Sequence, residues 1–276
     1  MLLRHARGTL DLTQPVVMGV LNVTPDSFSD GGHYLDPARA LEQGLQLVKE
    51  GAQIIDVGGE STRPGATPID SAEELRRVIP VIRALAQRCP VLISADTSDA
   101  LVIEQAIAAG AGLINDVRAL QKPGALAAAA RSGAAVCLMH MRGEPATMQQ
   151  SIAYESVRGE VQAMLSARMA ACAAAGIDAA RVCIDPGFGF GKQLAHNLDL
   201  LRHLTVFAEL GVPIVAGLSR KSMLGALTGR GPTERLAGSV ALATIAVLNG
   251  ARIVRAHDVA ATVDAARVAW AVRGGS

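Results

Sequence analysis

Eight short apolar runs recur along the chain, at residues 16–21, 53–57, 91–95, 112–114, 134–139, 182–184, 213–216 and 252–254. Each reads as a parallel strand buried on both faces, which shows continuous rather than alternating hydrophobicity. Helical patterns separate them. The first is predicted to start at Asp36 as N-cap with Pro37 in the first turn, to carry an apolar stripe of Leu41, Leu45 and Val48, and to stop at Gly51. The next is predicted to open on Ser71 and Glu74 at capping-box spacing. Eight β-α units without a linker, repeat array or low-complexity break predict one α/β domain over residues 1–276, a (β/α)8 TIM barrel, with residues 1–14 as an N-terminal extension. An open doubly wound sheet is the alternative.

Closure is favoured by where polar residues fall. Asn22, the 59–63 segment, Asp96, Asn115, His140, Asp185, the 219–221 segment and the 255–257 segment each follow one apolar run. In a barrel the strand C-terminal ends converge on one face, so these groups are expected to line a single mouth. Half of the residues are hydrophobic and only 3% aromatic, which implies an aliphatic core. The net charge of +1 supplies no field to hold a polyanion, so bulk nucleic-acid binding is disfavoured. Cys89, Cys137, Cys172 and Cys183 lie far apart without a C-x-x-C pair and read as buried thiols of a reducing cytoplasm. No uninterrupted apolar stretch has the length of a signal peptide or membrane span.

Three groups carry the chemistry. Asp96, Asn115 and Asp185 are costly to desolvate unless donors face them, and an amino-pyrimidinone edge of a planar heterocycle offers N–H groups in pairs. Each aspartate could instead cap a helix or pair with a lysine. Arg63, Arg220, Lys221, Arg255 and His257 form a basic set, four of them in the loops after strands 7 and 8 where barrels often hold phosphate. A phosphorylated or pyrophosphorylated substrate is implied, with a solvated charge cluster as the bland reading. The loop LNVTPDSFSDGGHY is longer than a tight βα turn requires, and such loops are often functional lids. Asn22 at its root offers an oxygen that suits Mg²⁺ held mainly by substrate phosphates and water. The stretch PGFGFGK fits neither a dinucleotide-binding nor a P-loop pattern, and no G-x-S-x-G elbow is present.

In order and spacing, LNVTPDSFSDGG, DVGGESTRPGA, ADTS, INDV, MHMRG, DPGFGFGK, GLSRKSMLG and RAHDV resemble the dihydropteroate synthase family over nearly the whole chain. The resemblance implies condensation of 7,8-dihydropterin-6-ylmethyl diphosphate with 4-aminobenzoate, in folate biosynthesis, at a sulfonamide-sensitive site. It implies that Asp96, Asn115, Asp185 and Lys221 bind the pterin between Met139 and Arg255. Asn22, Thr62, Arg255 and His257 would hold pyrophosphate, with Mg²⁺ on Asn22. The aminobenzoate would lie among Phe28, Thr62, Arg63, Pro64, Phe190, Lys221 and Ser222, and Asp30 would face the reacting methylene. Asp30, Lys221, Arg255 and His257 are the implied catalytic set, and a homodimer is expected.

Departures from the family pattern are Ala256 where valine is common and Asp99 where lysine is common. The first leaves Arg255 and His257 intact, and the second is expected to affect only the surface at a helix start. Two other functions compete. A methyltransferase-type pterin barrel would not need the pyrophosphate set or the STRPGA wall, and a silent pterin-binding protein would be expected to lose Asn22, Lys221, Arg255 or His257.

Overall fold

The computed structural model describes residues 1–24, 36–61, 67–144, 147–150 and 152–274. The chain opens with an antiparallel hairpin, β1 (Leu2–His5) and β2 (Gly8–Asp11). Eight parallel strands follow: β3 (Val16–Asn22), β4 (Ile54–Gly58), β5 (Leu92–Asp96), β6 (Leu113–Asp116), β7 (Ala135–Met139), β8 (Val182–Asp185), β9 (Val215–Gly217) and β10 (Ile253–Ala256). They pair in the order β8, β7, β6, β5, β4, β3, β10, β9. The remaining seam is closed by a parallel bridge between Ile184 and Ile214, where the Ile184 N–H donates to the Pro213 carbonyl at 3.0 Å. The sheet is therefore a barrel, not an open doubly wound sheet.

Helices α1 (Pro37–Lys49), α2 (Ser71–Arg88), α3 (Ala100–Ala109), α4 (Ala125–Ser132), α5 (Val157–Ala174), α6 (Leu194–Arg202), α7 (Ser222–Thr228), α8 (Leu236–Leu248) and α9 (Val259–Val272) alternate with the strands. Asp36 caps α1 through the Ala38 and Arg39 N–H groups, as its position ahead of Pro37 dictates. The buried face of α1 is Ala40, Gly44 and Leu47, one residue away from the expected stripe, whose members are only partly buried. Gly44 makes this possible, because a Cβ there would sit 2.8 Å from Leu85. Helix α2 opens on Asp70, which accepts the Glu73 N–H, and not on the expected box: Ser71 donates to Asp99, and Glu74 turns into the protein. Asp99 is more than a surface change, since it caps α3 through Leu101 and Val102 as well.

Strand alternation divides the barrel into two faces. Outward residues such as Val17, Ile55, Ile93, Ile114 and Val136 join the main core under the helices. Inward residues Val16, Met18, Ile54, Leu92, Leu113, Ala135, Cys137, Cys183, Val215 and Ile253 fill the barrel, and Leu3 and Leu12 from the hairpin seal its floor. Full burial of each leucine contributes about 1.5–3 kcal/mol. Two residues further along the same inward faces come Asp56, Asn115, Met139, Asp185, Gly217 and Arg255. The interior thus turns from apolar to polar towards the strand C-terminal ends.

Asn22, Asp96, Asn115, Asp185 and Arg255 were expected just after their strands; they are inside them. Hydrophobicity stops at these positions, whereas the backbone ladder is indifferent to an inward polar side chain. Helices α8 and α9 pack on one another and on Val254 through Ala243, Val247, Ala266 and Ala269. Their outer faces leave Leu236, Leu248, Val268 and Val272 exposed.

Candidate active site

One pocket at the barrel mouth is lined by Asp96, Asn115, Val117, Met139, Asp185, Phe188, Phe190, Gly217, Lys221 and Arg255. Strand ends supply Asp96, Asn115, Met139, Asp185, Gly217 and Arg255, so their Cα positions are fixed by the barrel ladder. The loop after β8 supplies the aromatic wall. Its glycines are a turn device and not a phosphate cradle: Gly187, Gly189 and Gly191 all have positive φ, and a Cβ on Gly187 would lie 1.8 Å from the His140 carbonyl oxygen. Asp185 Oδ1 accepts the Gly187 N–H at 2.7 Å, which starts the turn and leaves its other oxygen for a ligand.

The same loop is held from behind by Lys192, which is only 3% exposed. Its ammonium donates to the carbonyls of Gly187 at 2.8 Å and Phe190 at 3.0 Å, and sits 2.9 Å from His140 Nδ1. Burial pushes Lys192 down to about 7, and burial with the Lys192 charge pushes His140 down to about 3. His140 was expected at the mouth with the other residues that follow the strands; it is instead buried behind the loop and does not line the pocket. Phe190 packs with Val117, Met139 and Met148, and Lys221 Nζ lies 4.2 Å above its ring. Burial and the Arg255 charge bring Lys221 down to about 8.

Electrostatically the mouth is a small network. Arg255 donates from Nε to Asp56 at 2.7 Å and from Nη2 to Asp96 at 2.8 Å. Burial opposes the guanidinium charge, but the carboxylates of Asp56, Asp96 and Asp185 outweigh it and hold the group above its ordinary range. Burial and the neighbouring Asp56 carboxylate push Asp96 up to about 7, against the pull of Arg255. Burial also raises Asp185. His257 follows β10; its Nδ1 is 3.1 Å from Ser219 Oγ, and burial with the Arg255 and Arg220 charges pushes it down to about 4. At neutral pH it is an uncharged imidazole.

The pocket thus joins Asp96, Asn115, Met139, Asp185, Phe190, Lys221 and Arg255 as the sequence predicts. Asn22 ends β3, half-buried, and Ser222 begins α7, exposed; neither lines this pocket. Phe28, Asp30, Thr62, Arg63 and Pro64 lie outside the described residues. Arg220 does not stay with the basic set: it forks onto Asp258, with Nε at 3.0 Å, from a backbone φ of 58°. Sequence reasoning missed Asp56. Its signal was available, because in IIDVGGE an acid two residues after Ile54 must point into the barrel. Lys192 was passed over with the rejected glycine motif.

Carboxylates, aromatic and methionine walls and two cations in one pocket define a barrel whose mouth has the chemistry to suit a planar, donor-rich heterocycle. The pterin binding enzyme family matches residues 18–257. Dihydropteroate synthase of Escherichia coli strain K12 is 53% identical over 264 residues, covering 95% of this chain and 94% of that protein. The crystal structure of the Yersinia pestis dihydropteroate synthase with a sulfonamide drug complex superposes with a TM-score of 0.95 at 50% identity, covering all of both chains. That of Xanthomonas albilineans in complex with 7,8-dihydropteroate gives 0.88 at 49% identity and 97% of each. The chain belongs to the dihydropteroate synthase family of pterin binding enzymes.

Proposed function

We propose that the chain condenses 7,8-dihydropterin-6-ylmethyl diphosphate with 4-aminobenzoate, giving 7,8-dihydropteroate and pyrophosphate for tetrahydrofolate biosynthesis. The observation that carries this reading is the convergence of Asp96, Asn115, Asp185, Lys221 and Arg255 on one pocket between Met139 and Phe190. Asp185 and Asp96 accept the N–H groups of the pterin edge, Asn115 both donates and accepts, and Lys221 donates to a ring acceptor. Met139 and Arg255 flank the ring faces.

The C–O bond to pyrophosphate breaks first, and its electron pair leaves with the oxygen. The cation left on the methylene is delocalised into the pterin. The aminobenzoate nitrogen then attacks that carbon and loses its proton to the departing anion or solvent. Arg255 and His257 stabilise the leaving anion, each well-placed donor contributing about 3 kcal/mol. No protein nucleophile is needed. Thr62, Arg63, Pro64, Phe28, Phe190, Lys221 and Ser222 receive the aminobenzoate, a site open also to sulfonamides, and Asp30 faces the methylene. Water must be kept from the cation, which it would otherwise trap as an alcohol.

Among the described residues no group of three or more His, Cys, Asp or Glu is arranged to hold a metal. A single oxygen from Asn22 suits Mg²⁺, which keeps most of its ligands as water and substrate phosphate. Held by Asn22, Mg²⁺ would supply charge neutralisation to the pyrophosphate. Calorimetry of pyrophosphate binding should show a Mg²⁺-dependent gain that Asn22→Ala removes; equal affinity without the ion would contradict the assignment.

Two further readings go with this one. The exposed Val268 and Val272, 61% and 73% accessible, with Leu236 and Leu248, support a homodimer through α8 and α9. Light scattering should give twice 28.5 kDa, and a monomer mass would refute it. Four buried free thiols support a cytoplasmic location, and no helix among the described residues is long and apolar enough to cross a membrane. Fractionation to the membrane or the medium would contradict it. The function itself is tested by incubating the chain with both substrates and Mg²⁺ and identifying 7,8-dihydropteroate by mass; pyrophosphate release without that product would refute it.

A further inference from the structure

Asp56 lies in the middle of β4, has no exposed surface and does not line the pocket. Its Oδ2 nevertheless accepts two hydrogen bonds from groups that do, Arg255 Nε at 2.7 Å and Asn115 Nδ2 at 2.9 Å. These donors stand on β10 and β6, so one carboxylate oxygen ties together two sides of the mouth. Arg255 holds Asp96 with its other edge, Nη2. One guanidinium therefore spans two acids of unequal access: Asp96 faces the pocket, and Asp56 is sealed behind it.

A heterocycle that donates to Asp96 competes with Nη2 and has no route to Nε. Asp56 keeps acceptor capacity in reserve, because its buried Oδ1 has no partner among the described residues. Ser94 Oγ, in register with Asp56 on β5, is also buried and unpartnered. A buried carboxyl group whose only side-chain partners among the described residues are these two pocket residues is costly in a barrel interior. A packing role alone does not account for it, since an apolar inward residue like Ile54 would fill the same layer.

Resting on the pterin reading above, we propose that Asp56 is a positioning residue. It anchors Arg255 by Nε and Asn115 by Nδ2, so that Arg255 can release Asp96 to the pterin without leaving its station beside the pyrophosphate. Binding then exchanges one ion pair while the second stays closed.

Asp56→Asn, of nearly the same shape, tests this. With the anchor charge gone, Arg255 stays committed to Asp96 and the pterin must displace it. KM for the pterin diphosphate should rise about ten-fold or more, the size of one lost charge-assisted bond. KM for 4-aminobenzoate should remain within about two-fold, and the effect should not multiply with that of Arg255→Lys in the double variant. A merely structural role predicts lost thermal stability with both KM values unchanged in the folded fraction, and that outcome overturns the proposal.

Should the variant not fold, nitrogen-labelled arginine spectra of the wild-type chain give the same answer. The Arg255 Nε–H should stay protected from exchange when 7,8-dihydropteroate is added; loss of its protection overturns the anchor. A wild-type chain that makes no dihydropteroate overturns the function and this inference with it. A competent chain whose variant keeps its pterin KM overturns this inference alone.

Discussion

Gly187→Ala isolates the role of the loop after β8. At its φ of +73° an alanine costs about 1–2 kcal/mol from the left-handed backbone alone. The new Cβ would lie 1.8 Å from the His140 carbonyl oxygen, where contacts below 3.0 Å essentially never occur, so the two backbones must separate by at least about 1.2 Å. That separation stretches the 2.7 Å bond from the Gly187 N–H to Asp185 and the 2.8 Å bond from Lys192 to the Gly187 carbonyl. Each of these bonds has one charged partner and contributes about 1.5–3 kcal/mol, which with the backbone cost brings the total destabilisation to roughly 4–8 kcal/mol. Because Asp185 accepts the N–H of the shifted residue and Phe188 follows it, pterin affinity should fall by a factor of order 100, as a 1 Å misplacement can cost. Gly211→Ala is the control, with a φ of +74° and nothing within 4 Å of its Cβ. It should lose only the backbone cost and keep its affinity. Thermal unfolding and calorimetry with 7,8-dihydropteroate read both quantities. Equal stability losses in the two variants, with affinity retained in Gly187→Ala, would refute the reasoning.

Two titrations follow from burial. Burial pushes Glu74 up to about 7 from 4.5, so the folded chain holds a proton that the unfolded chain releases between those values. Its stability contribution is intact below pH 4.5 and is lost as pH rises towards 7; Glu74→Gln should therefore gain up to about 3 kcal/mol at pH 8 and nothing at pH 4, read as several degrees of Tm. An equal gain at both pH values would contradict this. His257, held near 4 in the free protein, should gain affinity for a proton when pyrophosphate arrives. Calorimetry in buffers of different ionisation enthalpy should show proton uptake near pH 6 that His257→Gln removes; identical heats in all buffers would rule it out.

The barrel was legible because its strands are buried on both faces, which leaves short, mostly apolar runs between longer helical patterns. Site residues at the mouth were legible for the same reason: each polar residue ended a run. What escaped was whatever broke the pattern from inside. Asp56 interrupts a run in mid-strand, and a search for strand ends passes over it. Lys192 looks like part of a glycine motif, and only the fold brings His140 and two carbonyls to its ammonium. The hairpin before Val16 pairs local residues yet acts through Leu3 and Leu12 on a floor assembled by distant strands. Helix faces slipped by one residue where Gly44 let Leu85 approach, because a glycine carries no hydrophobic signal of its own.

Calorimetry of the pterin diphosphate with the wild-type chain and with Asp185→Asn tests most directly whether the carboxylate floor holds the heterocycle. The variant keeps an oxygen for the Gly187 N–H and removes only the charge offered to the ligand. The account predicts a loss of about 1.5–3 kcal/mol in binding, a factor of roughly 10–150. Unchanged affinity would contradict it.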